Sequence, residues 1–123
     1  MTNSDILQAV ITDRRALHQI PEESLAEIKT AAYLEKKLLE LGYEPKRILE
    51  TGVYVYMPGT SGNKTYAFRA DMDALPLLEE SDIPYASKHK GMMHACGHDG
   101  HMAILLGFAR ALKNKPLREN ILL

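Results

Sequence analysis

With 123 residues the chain has room for one modest hydrophobic core and at most a single domain. Apolar residues at 46% and charged residues at 25% are ordinary for a globular protein, and a net charge of −1 without a lysine/arginine stripe argues against a nucleic-acid partner. A single cysteine excludes an internal disulfide, no stretch reaches the roughly 18 apolar residues of a membrane span, and the start lacks a signal-peptide core, so a cytoplasmic protein with no membrane partner is expected.

Ser4 is the predicted cap of a first helix, with Ile6, Leu7, Val10, Ile11 and Leu17 on one side, that reaches "LHQI" before Pro21 stops it. Ser24 and Glu27 have capping-box spacing and open a second helix, whose apolar face is Ile28, Ala31, Ala32, Leu34, Leu38 and Leu41. Gly42 supplies its left-handed stop. From Tyr43 the rhythm becomes β-type, in "RILE", "GVYVYM" and "KTYAFRAD". The two runs flanking "PGTSGN" are expected to pair as an antiparallel hairpin, with Tyr54, Tyr56 and Tyr66 as cross-strand contacts.

"DMDALPLLEESDIPYASKHKG" reads as loop, and a third helix starts at Asp99 or Gly100. Its expected buried face is Met102, Leu105, Phe108 or Ala109, and Leu112; Lys113 and Lys115 suit its negative end and Pro116 closes it. "NILL" is a last strand, which gives the order ααβββαβ. A strand that ends the chain as soon as it begins fits a truncated piece of a longer protein, or a short terminal edge strand. The expected architecture is α/β, with helices packed on a mixed β-sheet and chemically rich segments at strand exits.

The densest of those segments is "MHACGHDGH", residues 93–101. Cys96 and His98, separated by a glycine that lets the backbone bend, are good ligands for zinc or a similar ion, and the helix that follows favours the thiolate. His94, Asp99 and His101 crowd the same loop and tip the balance toward a metal. The competing reading makes Cys96 a nucleophile with a nearby histidine as base; chelation and thiol alkylation would separate the two. His94 and His101 are equally well read as solvated or capping histidines. Asp71 and Asp73 form a D-x-D at the end of a strand, on one face with Arg69, where carboxylates can orient a metal-ligating imidazole or a base. His18, in "LHQIPE", reads as a structural residue at a helix terminus, and the methionines as core filler.

In that order and at these separations, "LHQIPE", "FRADMDALP" and "GMMHACGHDGHMAILLG" resemble the N-terminal part of the M20 metallopeptidase family. The likeness is nearest to its amidohydrolase branch of hippurate hydrolases, N-acyl-L-amino-acid amidohydrolases and N-acetyldiaminopimelate deacetylases, and it runs from Arg14 to the end of the chain. The resemblance implies a zinc-peptidase-like catalytic domain that removes an acyl group from an amino acid's nitrogen by metal-activated water, with two divalent ions (Mn, Zn, Co or Ni) per complete site. It implies Cys96 and His98 as metal ligands, Asp71 as the active aspartate and Asp73 as its neighbour. It also implies that residues 1–123 are the N-terminal portion of that domain, incomplete. The glutamate base, the remaining ligands and the dimerisation domain would lie elsewhere, and the parent protein would be a homodimer acting on a small-molecule N-acyl amino acid. The isolated chain is then expected to be inactive on hippurate and N-acetyl amino acids. The alternative is a non-catalytic module that binds a partner through an open sheet edge.

Overall fold

Three helices and five short strands follow the order ααββββαβ along residues 1–123 of the computed structural model. Helix α1 spans Asn3–His18 and is capped by Thr2, not Ser4. Thr2 Oγ1 accepts from the Asp5 N–H at 3.1 Å while the Asp5 carboxylate accepts from the Thr2 N–H at 2.7 Å. Ser4 has leucine three residues on and cannot form that reciprocal pair. Of the predicted α1 face only Leu17 is fully buried, and Leu7 lies open to solvent.

Helix α2 spans Ile28–Glu40, and the Ser24–Glu27 box does not form. Leu25 takes a left-handed turn, and the Glu27 carboxylate instead accepts from Thr51 Oγ1 at 2.8 Å. Glu22 reaches across that turn to do the capping, accepting from the N–H groups of Lys29 and Thr30 at 3.0 and 2.7 Å. The buried face is Thr30, Ala31, Leu34 and Leu38, leaving Ile28 and Ala32 outside. The stop is as expected. Gly42 has φ +80, and the N–H groups of Gly42 and Tyr43 close back on Leu39 and Leu38.

Strands β1 (Lys46–Ile48) and β2 (Gly52–Tyr54) form an antiparallel hairpin. "GVYVYM" divides at buried Val55, which exchanges backbone hydrogen bonds of 2.9 Å with Leu123, so one more strand exists than the pattern predicted. Strands β3 (Tyr56–Met57) and β4 (Thr65–Ala67) do not pair with each other. β5 (Asn120–Leu122) lies between them, antiparallel to β3 and parallel to β4. The reason lies in "PGTSGN". Its Thr60 and Ser61 N–H groups donate to Leu117 and Arg118 carbonyls, and its Gly59 N–H donates to Asn120 Oδ1. The turn therefore grips the segment leading into β5 and holds β3 and β4 a strand's width apart. Tyr56 and Tyr66 accordingly face Leu122 and Ile121 in register and remain half exposed, and the last strand is central rather than an edge.

Helix α3 spans His98–Leu112 and supplies the floor of the core. Met102, Leu106 and Ala109 meet Leu17, Leu34, Leu38, Val55 and Met57, whereas Leu105, Phe108 and Leu112 are only half-buried. α3 lies tightly on α1 because Gly107 offers no side chain: a Cβ there would sit 2.4 Å from Val10 Cγ2. Val10 is β-branched and stiff, so relief requires the helices to separate. Gly107→Ala should therefore lower stability by about 1–3 kcal/mol despite alanine's better helix propensity, read as a lower urea midpoint. An unchanged or raised midpoint would show that the α1–α3 contact yields freely. No helix is long and apolar enough to cross a membrane.

Candidate metal centre

Two loops meet at the start of α3. The segment after β4 carries Asp71 and Asp73; the segment before α3 carries His94, Cys96 and His98. A bridge joins them, with Leu75 and Met93 exchanging N–H to carbonyl bonds of 3.0 Å. The long loop between them has no regular structure but is pinned to the α1–α2 connection. Ala74 N–H donates to the Glu22 carbonyl, Lys88 N–H to Gln19, and His89 Nδ1 to Pro21.

Gly97 caps α3 from the left-handed region, with φ +79, a turn that suits glycine and separates Cys96 from the first helical residue, His98. Cys96 is exposed. His98, the first helical residue, turns its Nδ1 to Asp73, 2.9 Å from both the carboxylate Oδ1 and the main-chain carbonyl. Both partners are acceptors, so Nδ1 carries the hydrogen and the lone pair of a neutral ring is left on Nε2. That is how a carboxylate prepares an imidazole to hold a metal.

The rest of the loop does not gather round them. Asp99 is buried and turned inward, where its Oδ2 lies 2.7 Å from His18 Nδ1 and 3.0 Å from Arg14 Nε. His94 is buried with neither ring nitrogen hydrogen-bonded, and burial holds its pKa below the ordinary value, against the pull of nearby Asp99. His101 is exposed, its ring 5.7 Å from that of His98. No group of three or more histidine, cysteine, aspartate or glutamate side chains in the chain can hold an ion. Crowding in sequence is thus dispersed by the helix start. The donor set that remains, one thiol and one oriented imidazole, fits a borderline-soft divalent ion from one side only.

The D-x-D divides its partners. Residues 68–73 lie beyond the end of β4 at Ala67. Asp71 pairs on the surface with Arg69 at 2.6 Å, while Asp73 reaches His98.

His18 is no mere helix terminus. It is buried at 2% exposure, its Nε2 3.0 Å from Glu79 Oε1 and its ring edge-on to Tyr85. Glu79 went unnoticed inside the loop. Its only sequence signal is an acidic pair among prolines and apolar residues. Burial pushes its pKa up, but hydrogen bonds from Ser81, the Ser87 N–H and His18 outweigh this and hold it below the ordinary 4.5. A carboxylate with a lowered folded pKa stabilises the fold above its unfolded value, and that stability is lost as pH falls through the folded one. Unfolding free energy should therefore decline below pH 4.5, and less steeply in Glu79→Gln. Urea titrations at a series of acidic pH values check this, and parallel slopes for the two proteins would contradict it.

The chain is similar to several known proteins. Residues 67–121 match the sequence model of peptidase family M20/M25/M40. The chain is 46% identical over 119 residues to the N-acetyldiaminopimelate deacetylase of Listeria monocytogenes serovar 1/2a, covering 95% of this chain and 32% of that protein. To the deacetylase of the same name in Oceanobacillus iheyensis it is 47% identical, covering 89% of this chain and 30% of the relative. The chain thus spans about a third of the length of the curated relatives it matches. Among solved structures, a dinuclear metal-binding M20 peptidase of Bacillus subtilis superposes with a TM-score of 0.92 at 36% identity, over 98% of this chain and 35% of that one. A Zn-dependent exopeptidase of Parabacteroides distasonis shares the fold alone, with a TM-score of 0.60 at 17% identity over 98% of this chain and 45% of that one.

Proposed function

From the match of residues 67–121 to the M20/M25/M40 peptidase family and the likeness to its members, we propose that the chain belongs to that family and is the N-terminal portion of the catalytic domain of a metal-dependent amidohydrolase. The substrate class is an N-acyl amino acid of the N-acetyl or hippurate type. The observation that carries the reading is the seating of His98. Asp73 fixes its Nδ1, Nε2 is left as the donor, and a cysteine is exposed across the glycine turn. Cys96 and His98 would hold a divalent ion (Mn, Zn, Co or Ni), one of two in a complete site, together with groups from outside these residues. Such an ion supplies polarisation of the amide carbonyl and a lowered pKa for an attacking water. Within the chain, Asp73 keeps the imidazole in the ligating tautomer, and Asp71 is the carboxylate that orients the reacting groups once its surface pairing with Arg69 gives way.

The test uses the protein that contains this segment, assayed for release of acetate from N-acetyldiaminopimelate and of benzoate from hippurate. Activity should vanish on chelation, return with manganese or zinc, and be absent from residues 1–123 alone. Turnover that survives chelation but not thiol alkylation would transfer the role of Cys96 to nucleophile.

A second reading is favoured by one observation: β4 is an open sheet edge with Thr65, Tyr66 and Ala67 all exposed, beside an apolar cavity of about 350 Å³ lined by Leu38, Val53, Phe68, Met72, Leu105 and Leu122. As an interaction module the chain would pair a partner strand there. Size-exclusion of the isolated chain distinguishes the two by whether it self-associates. The parent homodimer expected for the hydrolase is read from the same measurement on the protein containing this segment.

A further inference from the structure

His18 and Glu79 lie outside the donor set, yet they are among the most enclosed polar groups of the molecule, with side chains 3% and 4% exposed. They form a continuous chain: Glu79 Oε1 to His18 Nε2 at 3.0 Å, His18 Nδ1 to Asp99 Oδ2 at 2.7 Å, and Asp99 Oδ2 to Arg14 Nε at 3.0 Å. The links come from three elements, namely the long loop, α1 (its last residue His18 and, one turn earlier, Arg14) and the first turn of α3. Asp99 directly follows His98, and its Oδ1 also accepts from the Gly100 N–H at 2.9 Å. The start of α3 has no side-chain cap of the usual kind. Asp99, anchored through His18, replaces one.

We propose that His18 is a positioning residue for the metal-ligating face of the chain: through Asp99 it fixes the first turn of α3, and so the place from which His98 reaches Asp73. This rests on the reading of Cys96 and His98 as ligands. The geometry separates two jobs for two carboxylates. Asp73 sets the His98 ring, and Asp99, held by His18, sets the backbone that carries it. Glu79 has the outer role, because with Ser87 and Ser81 bonded to it, it ties the long loop to the same imidazole. A helix terminus held only by solvent frays within its first turn, and a ligand on that turn would then lose its seat.

The experiment uses the protein that contains this segment and compares the wild type with His18→Gln and with Glu79→Gln, a milder cut at the far end of the network in case the first variant folds poorly. One measurement is the long-range proton–nitrogen spectrum of 15N-histidine-labelled protein, which reports the His98 tautomer without any metal. The other is a cobalt(II) titration followed through the thiolate charge-transfer band of Cys96. Both variants should lose the single Nδ1–H form of His98 in favour of mixed tautomers. Cobalt should bind about tenfold more weakly or worse, the loss typical of cutting the support behind a ligand. Folded variants that keep the wild-type His98 tautomer would overturn the inference, whatever their melting temperature. Failure of the wild-type protein that contains this segment to bind cobalt would count against the metal reading instead, because the tautomer comparison stands independently of it.

Discussion

Asp13→Ala should cost about 3–5 kcal/mol of unfolding free energy, because it strands a buried cation. Asp13 is 1% exposed and Arg110 9%, and Arg110 Nη2 lies 2.6 Å from Asp13 Oδ2. That approach falls outside hydrogen-bond geometry, and Arg110 Nη1 has no partner at all, so the pair is held by charge more than by directed bonds. Tyr33 adds a bond from its hydroxyl to Asp13 Oδ1 at 2.7 Å. Burial, reinforced by the adjacent carboxylate, holds the phenol's pKa far above its usual range, so it remains a donor at any working pH. The cluster clamps α1, α2 and α3 together at one point. Deleting the carboxylate leaves the guanidinium in a place water reaches poorly. Replacing both partners by apolar residues of similar volume (Asp13→Leu with Arg110→Met) should recover most of the loss. Urea denaturation of the two variants checks this. A single-variant loss under about 1 kcal/mol would mean that the site is wetter than its burial implies.

The second large effect separates the two aspartates. In the protein that contains this segment, Asp71→Asn should lower kcat by about 10²–10⁴-fold with metal affinity retained, as expected for loss of a carboxylate acting on reacting groups. Asp73→Asn should instead weaken metal binding about 10–100-fold, because an amide can present its N–H₂ to His98 Nδ1 and so favour the wrong tautomer. Metal titration and steady-state kinetics of both variants make the comparison. The reverse pattern would exchange the two roles. The structure motivates the split: Asp73 lies 2.9 Å from the imidazole, while Asp71 is engaged with Arg69 on the surface.

Much of this was legible in the residues themselves, wherever the deciding interaction is local. The helical spacing in "LAEIKTAAYLEKKLLELG" produces a helix closed by Gly42, because amphipathic period and a left-handed stop are properties of neighbours in sequence. Cys96, Gly97 and His98 announced a turn carrying two donors, and the turn exists. The α/β class follows from the order of periods along the chain, and it is observed. Caps were less legible. Ser24 and Glu27 have the right spacing, but Glu22 and Thr51 offer better partners once the chain is folded.

Long-range pairing was not legible at all. The tie between "PGTSGN" and residues 117–120, which seats β5 between β3 and β4, joins segments with α3 and a long loop between them. A periodicity of two says that a strand exists, never beside which strand it will lie. The same limit governs the site. By itself the sequence determined which donors are available on one loop, since side-chain chemistry and the turn at Gly97 are local matters. Only the tertiary structure decided how they are shared out. The start of α3 turns Asp99 inward to His18 and Arg14 and leaves His98 to Asp73, because each direction off a helix's first turn faces a different neighbour, while His94 is buried in the loop before it.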